Sequence, residues 1–314
     1  MKEIKGKNAV VTGTGGGIGR SIAIELARAG ANVCVVDIEE DVAKKVAAEC
    51  AQFGVKSFGR KADVSNLDDM KALADEAYRE FGSVEILVNN AGVTLRPFRA
   101  HWETSPKDWN WIFSVNFFGV LNGHLAFVPR MIETPGEKHI VNTSSAASLY
   151  DIAGHAAYSA TKAACDGLSN SAREELKLFD IGVSVLHPGV VRTRITTSNR
   201  LMKEDQKKAQ DEVRPWSYWA EKYGGEQPKG TQTAVDLTNL QDPDLPLNPI
   251  QYINPRAVGL MVIDGILKNK PHISTHMYPM KAVLNRFNGI LDAVPDYSEI
   301  KKRLDELDAQ GAKF

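Results

Sequence analysis

Short apolar runs alternate with amphipathic stretches along most of the chain. "NAVVT" (8–12) is apolar and ends in glycines. "SIAIELARAG" (21–30) has apolar residues at helical spacing and stops at Gly30, and "NVCVVD" (32–37) is a second apolar run. "EEDVAKKVAAECAQFG" (39–54) and "LDDMKALADEAYREFG" (67–82) carry helical patterns that close on glycine. Between them a third strand pattern leads to "KADV" (61–64), and "VEILVNNAG" (84–92) is a strand running into a turn. Further on come a long, mostly apolar helix (108–132), the strand "KHIVNTSS" (138–145), a helix (158–179) and the strand "IGVSVLHPG" (181–189). This strand–helix order predicts an α/β fold of the Rossmann type: one doubly wound parallel sheet with helices on both faces and right-handed crossovers.

The rhythm breaks after 193. Residues 194–253 hold a polar stretch, the aromatic cluster "RPWSYWAEKYGG" and the proline-rich "DPDLPLNP". A segment of this length inside a compact domain points to a functional or disordered loop, and its aromatics fit either a lid over the substrate or a satellite core or subunit contact. The rhythm resumes with "NPRAVGLMVIDGILKN", a helix, and "PHIST", a short strand. The tail "DYSEIKKRLDELDAQG" puts Ile300, Leu304 and Leu307 on one helical face. The expected division is a dinucleotide-binding core with the catalytic residues over 1–193, a loop over 194–253, the last core helix and strand over 254–280, and an extension over 281–314, all in a single domain.

Composition excludes more than it selects. The 314 residues carry a net charge of −1, 43% hydrophobic and 25% charged residues. No global field favours nucleic acid or a membrane surface. No stretch is read as reaching the ~18 apolar residues of a spanning helix, and the N-terminal "MKEIKGKNAVVTG" has no secretory pattern. Cys34, Cys50 and Cys165 are few and scattered, which fits reduced thiols in a cytoplasmic protein. His272 and His276 stand four apart without an obvious third ligand, so no metal is expected.

"VVTGTGGGIG" sits between the first strand and the first helix. Gly13, Gly17 and Gly19 let the backbone turn tightly and approach a ligand, and the helix start aims free amides at a pyrophosphate. Asp37 ends the second strand, where a carboxylate can accept the adenosine ribose hydroxyls and repel a 2′-phosphate. The residue after it is Ile38, and Gly16 supplies no basic side chain, so NAD is expected over NADP.

Tyr158 and Lys162 are four residues apart and share a helix face. Free tyrosine is a poor base at neutral pH. An ammonium about 4 Å from a phenolate, at an effective dielectric of about 20, is worth roughly 4 kcal/mol, so the spacing can make a base. Taken alone it also fits a helix with a surface lysine.

Joined together, these motifs resemble the short-chain dehydrogenase/reductase family over roughly residues 5–280. "TGTGGGIG", "DV" at Asp63–Val64, "NNAG" at 89–92, "IVNTSS", "YSATK" and "HPGVVRT" follow the family's order, and Asn116 in "SVNFFG" fits its helix asparagine. The resemblance implies a catalytic set of Asn116, Ser145, Tyr158 and Lys162. Tyr158 would exchange a proton with the substrate hydroxyl, Lys162 would assist it and hold the nicotinamide ribose, Ser145 would bond the substrate oxygen, and Asn116 would anchor a water. Cofactor contacts would come from Gly13, Gly17, Ile18, Gly19, Asp37, Asp63, Val64, Asn90, Ala91, Gly92, Tyr158, Lys162, Pro188, Gly189, Val191 and Thr193. Ser148 departs from the family, which often has glycine there.

The expected function is NAD-dependent interconversion of a secondary alcohol and a ketone, on a hydrophobic or aromatic small molecule. Trp216 and Trp219 are the candidate substrate contacts beside Ser145 and Tyr158; Trp102, Trp109 and Trp111 raise the same question, with core packing expected for two of them. An NADPH-dependent ketoreductase and a non-catalytic nucleotide sensor are the rivals; a sugar-nucleotide epimerase would have different glycine spacing. A homodimer or homotetramer is expected, paired through helices near 107–133 and 156–179.

Overall fold

The computed structural model describes residues 1–224, 253–276 and 280–310. Among the described residues seven strands form one parallel sheet: β1 Asn8–Thr12, β2 Asn32–Asp37, β3 Ser57–Lys61, β4 Ile86–Asn89, β5 Lys138–Thr143, β6 Ile181–His187 and β7 His272–Ser274. Their order across the sheet is β3-β2-β1-β4-β5-β6-β7. The order reverses between β1 and β4, which opens a crevice at the carboxyl ends of these strands.

The helices are α1 Gly17–Arg28, α2 Glu40–Ala51, α3 Leu67–Phe81, α4 Pro106–Phe113, α5 Gly119–Glu133, α6 Ala156–Leu176, α7 Glu204–Ala209, α8 Trp216–Tyr223, α9 Pro255–Leu267, α10 Met280–Asp292 and α11 Tyr297–Ala309. Strands buried on both faces must be apolar throughout. In β2, Val33 and Val35 join one core with α1, α2 and α9, while Cys34 and Val36 join the other with α3, α5 and α6. The period-two alternation of a strand therefore feeds both layers. Caps fix the helix starts. Asn66 accepts from the amides of Asp68 and Asp69 at α3, and Ser105 accepts from the Asp108 amide at α4.

The expected long helix appears as α4 and α5 joined by a π-helical turn over Ser114–Phe118. This corrects one reading: the run 106–133 is long and apolar enough to cross a membrane by length and composition. Ser114, Asn116, Asn122 and His124 hide it from a search for unbroken apolar residues. Half of its most apolar window is buried inside the fold, with Phe127 and Met131 in the core shared with α3.

The chain divides into two compact units, Met1–Met277 and Tyr278–Phe314. The first holds the whole sheet. The second holds α10, which the sequence reading passed over, and α11, which it expected. Residue 280 thus belongs to the tail rather than to the core. On α11, Ile300 and Leu304 are solvent-exposed.

Candidate active site

The turn after β1 is built for close approach. Gly13 and Gly17 adopt φ of 69° and 54°, the left-handed region that favours glycine. A Cβ on Gly13 would lie 2.5 Å from the Ala91 Cα, and one on Gly19 would lie 2.2 Å from the Gly13 carbonyl oxygen. Asn90 holds the turn by donating to the carbonyls of Thr12 and Gly13, both at 3.0 Å. The first residue of α1 follows Gly16, and no side chain caps it. The orphan amides of a helix start favour an anion.

Asp37 is fixed by two amides. Gly15 N donates to its Oδ2 at 2.7 Å and Glu39 N to its Oδ1 at 3.1 Å. A carboxylate has lone pairs to spare after two such bonds. Asp63 accepts from the Ser65 amide at 2.9 Å, and Val64 packs against Gly119. One cleft of about 790 Å³ is lined by the glycine turn, Asp37, Asp63–Val64, Asn90–Gly92, Ser145, Tyr158, Lys162 and the 188–193 segment. That volume and an uncapped helix start fit a dinucleotide.

Ser145, Tyr158 and Lys162 line this cleft, and Asn116, which does not line it, is buried against Gly92 of its wall. The Lys162 ammonium donates to the Thr143 carbonyl at 2.8 Å and stands 5.6 Å from the centre of the Tyr158 ring. Asn116 lies in the π turn and is fully buried. Its Oδ1 accepts from Val93 N at 2.8 Å, and its Nδ2 donates to Val93 O and to Thr161 Oγ1. A π turn shifts helical register by one residue and is frequent at functional sites. Gly92 sits against both groups: a Cβ there would lie 3.3 Å from Asn116 Oδ1 and 3.5 Å from Lys162 Nζ. Ser145 Oγ accepts from Ala147 N at 3.1 Å, which leaves its proton free to donate. Ser148, the departure noted above, donates its hydroxyl to the Ser145 carbonyl at 2.7 Å and so steadies that residue.

Tyr158 is also held from behind. Its ring stacks on His155 at 4.6 Å, and His155 packs on Phe98 at 4.3 Å. Burial pushes the His155 imidazole down to about 3, with the Arg96 charge adding to the effect. The tyrosine therefore rests on a neutral ring at physiological pH.

The model of the short chain dehydrogenase family matches residues 7–204. The chain belongs to that family. The protein is accordingly an oxidoreductase that uses a nicotinamide cofactor. The C alpha-dehydrogenase of Sphingobium sp. (strain NBRC 103272 / SYK-6) is 35% identical over 202 residues, 64% of this chain and 66% of that one. A short chain dehydrogenase/reductase from Burkholderia phymatum, solved in complex with NAD, shares 30% identity at a TM-score of 0.75. That likeness covers 94% of this chain and 98% of the other. A metagenomic short-chain oxidoreductase solved in complex with NADP shares 34% identity at a TM-score of 0.56, covering 59% of this chain and 83% of its own.

The segment after β6 carries helical turns over its described residues. Arg194–Leu201 forms 3-10 turns, followed by α7 and α8; the proline-rich piece at 242–249 lies outside the described residues. Trp216 and Trp219, the candidate substrate contacts, do not line the cleft. Both rings meet Trp102, at 6.5 and 6.0 Å, and Trp216 packs against Gly154. The Trp216 amide donates to the Phe98 carbonyl at 2.7 Å. This is a satellite cluster, which aromatic spacing alone does not distinguish from a lid. Trp109 and Trp111 pack in the small core with Tyr158, as expected for two of the three, and Trp111 also lines the cleft.

The reading of the sequence missed four side chains. Arg194 and Arg200 line the cleft and both reach Glu39. Asp108, buried on α4, accepts from Arg99, Gln206 and Gln210 and so ties α7 to the wall. Apart from Arg99–Asp108, these contacts join residues far apart in the chain, so no local pattern announces them. Cys34, Cys50 and Cys165 are buried and free. Burial raises all three thiols, Cys50 to about 12, which removes them as nucleophiles.

Proposed function

We propose that the protein oxidises a secondary alcohol to a ketone with NAD as acceptor, acting on a small hydrophobic or aromatic molecule. The observation that carries the reading is a single cleft lined by Tyr158, Lys162, Ser145 and Asp37, with Asn116 buried against Gly92 of its wall. A bound nicotinamide supplies the acceptor for the hydride of the carbinol carbon. Tyr158 takes the hydroxyl proton as the carbonyl forms. Lys162, anchored on Thr143, brings positive charge beside the developing phenolate. Ser145 donates to the substrate oxygen. Asn116 holds the Val93 backbone and the Thr161 hydroxyl. Apolar walls from Trp111, Val115, Ile195 and Leu201 support the substrate class.

NAD is favoured because Asp37 is oriented by two amides at the end of β2. Specificity constants for NAD and NADP with one alcohol test this choice. NAD should be preferred, and Asp37→Ala should relax the preference. Equal or better use of NADP by the wild type would defeat it. The NADPH reading has one observation on its side: Arg194 and Arg200 stand at the same end of the cleft.

A further inference from the structure

We infer that Glu39 is a second determinant of cofactor choice, because it occupies Arg194 and Arg200, two cations of the cleft wall able to receive the 2′-phosphate of NADP. The inference rests on the proposal that this cleft takes NAD.

Both guanidiniums meet the same carboxylate oxygen. Arg194 Nη2 lies 3.0 Å and Arg200 Nη2 lies 3.6 Å from Glu39 Oε2. Glu39 also donates its backbone amide to Asp37 Oδ1 at 3.1 Å. One residue therefore connects the ribose-facing acid to both arginines. Arg194 passes Gly16, where a Cβ would be 4.0 Å from its Cδ, so its side chain runs from the segment after β6 toward the turn after β2. Arg200 is steadied by the carbonyls of Arg194 and Thr197, at 3.4 and 3.3 Å.

These side chains are 36–41% exposed, so their pairing does little for stability. Its consequence lies in binding. With Glu39 ionised, two carboxylates balance two guanidiniums around the adenosine end. Glu39→Gln leaves an excess of positive charge and releases both planar forks. Guanidinium pairs with phosphate through short, charge-assisted hydrogen bonds. The ribose hydroxyls of NAD offer no such partner. The variant should thus gain affinity for the phosphorylated cofactor alone.

The test is direct titration of the full chain with NADH and with NADPH, followed by nicotinamide fluorescence without substrate. Glu39→Gln should lower the NADPH Kd about tenfold or more and move the NADH Kd by no more than about twofold, the difference expected of one new charge-assisted contact. Adding Arg194→Gln and Arg200→Gln should return the NADPH Kd to its starting value. Glu39 makes no side-chain cap on α2, so the melting temperature should hold. An unchanged NADPH-to-NADH ratio in Glu39→Gln would overturn the inference, and so would a gain that survives loss of both arginines. A wild type that binds NADPH better than NADH would count against the NAD proposal, while the change on Glu39→Gln would still report the role of Glu39.

Discussion

Tyr158→Phe should lower turnover by at least about 100-fold, the scale of positioned acid–base catalysis, and leave cofactor binding in place. The substitution removes one oxygen. The ring keeps its stack on His155 and its place in the cluster with Val93, Ile112, Trp109 and Trp111. Lys162 keeps its bond to the Thr143 carbonyl, and Asn116 keeps its bonds to Val93 and Thr161. What is lost is the acceptor for the substrate proton. Steady-state rates on a secondary alcohol, paired with an NADH titration of the same preparation, separate the two effects. A variant that retains more than about a tenth of the wild-type turnover would remove Tyr158 from the role of base.

Asp108→Ala should destabilise the fold by about 3–5 kcal/mol, the usual result of stripping one partner from a buried ion pair. Arg99 and Asp108 are each 2% exposed. The Arg99 guanidinium also donates to the carbonyls of Pro97 and Arg96, but only Asp108 offers it a countercharge among the described residues. Burial already holds the Arg99 guanidinium below its ordinary range, and the alanine would remove the opposing pull of the carboxylate. Gln206 and Gln210 would each lose a carboxylate acceptor as well, at 2.7 and 3.2 Å, although Gln210 keeps its bond to the Gln206 carbonyl. The melting temperature should fall by roughly 5–8 °C. Because α7 lines the cleft beside Trp111, the Michaelis constant should also rise. A melting temperature within about 2 °C of the wild type would show that the pair does not carry the wall.

Local chemistry made most of the fold legible. Strands such as "NAVVT" and "NVCVVD" are buried on both faces, so they read as unbroken apolar runs. The glycine turn and the Tyr158–Lys162 spacing are short motifs whose meaning depends on a strand or helix that the same pattern predicts. Three things resisted. The π turn at Ser114–Phe118 leaves no mark on hydrophobic periodicity, although it places Asn116. The aromatic residues 216–223 carry the same spacing whether they cover a ligand or pack on Trp102. The cations near Asp37 come from residues 194 and 200, on the far side of the cleft. Inspection of Ile38 and Gly16 alone therefore judged the adenosine end to be free of basic groups. Helix α10 is different: Leu284, Phe287 and Leu291 fall at helical spacing, so its signal was present and was passed over.

Hydride transfer within this cleft is the central claim, and an isotope tests it most directly. The wild-type protein would be incubated with NAD and secondary alcohols from aromatic, alicyclic and steroid classes, each bearing deuterium on the carbinol carbon. Mass spectrometry of the reduced cofactor then reads the origin of its new hydrogen. The account predicts one deuterium in the cofactor for each ketone formed, and no such transfer on the same timescale with Tyr158→Phe. Ketone without label in the cofactor, or no ketone from any member of the three classes, would contradict it.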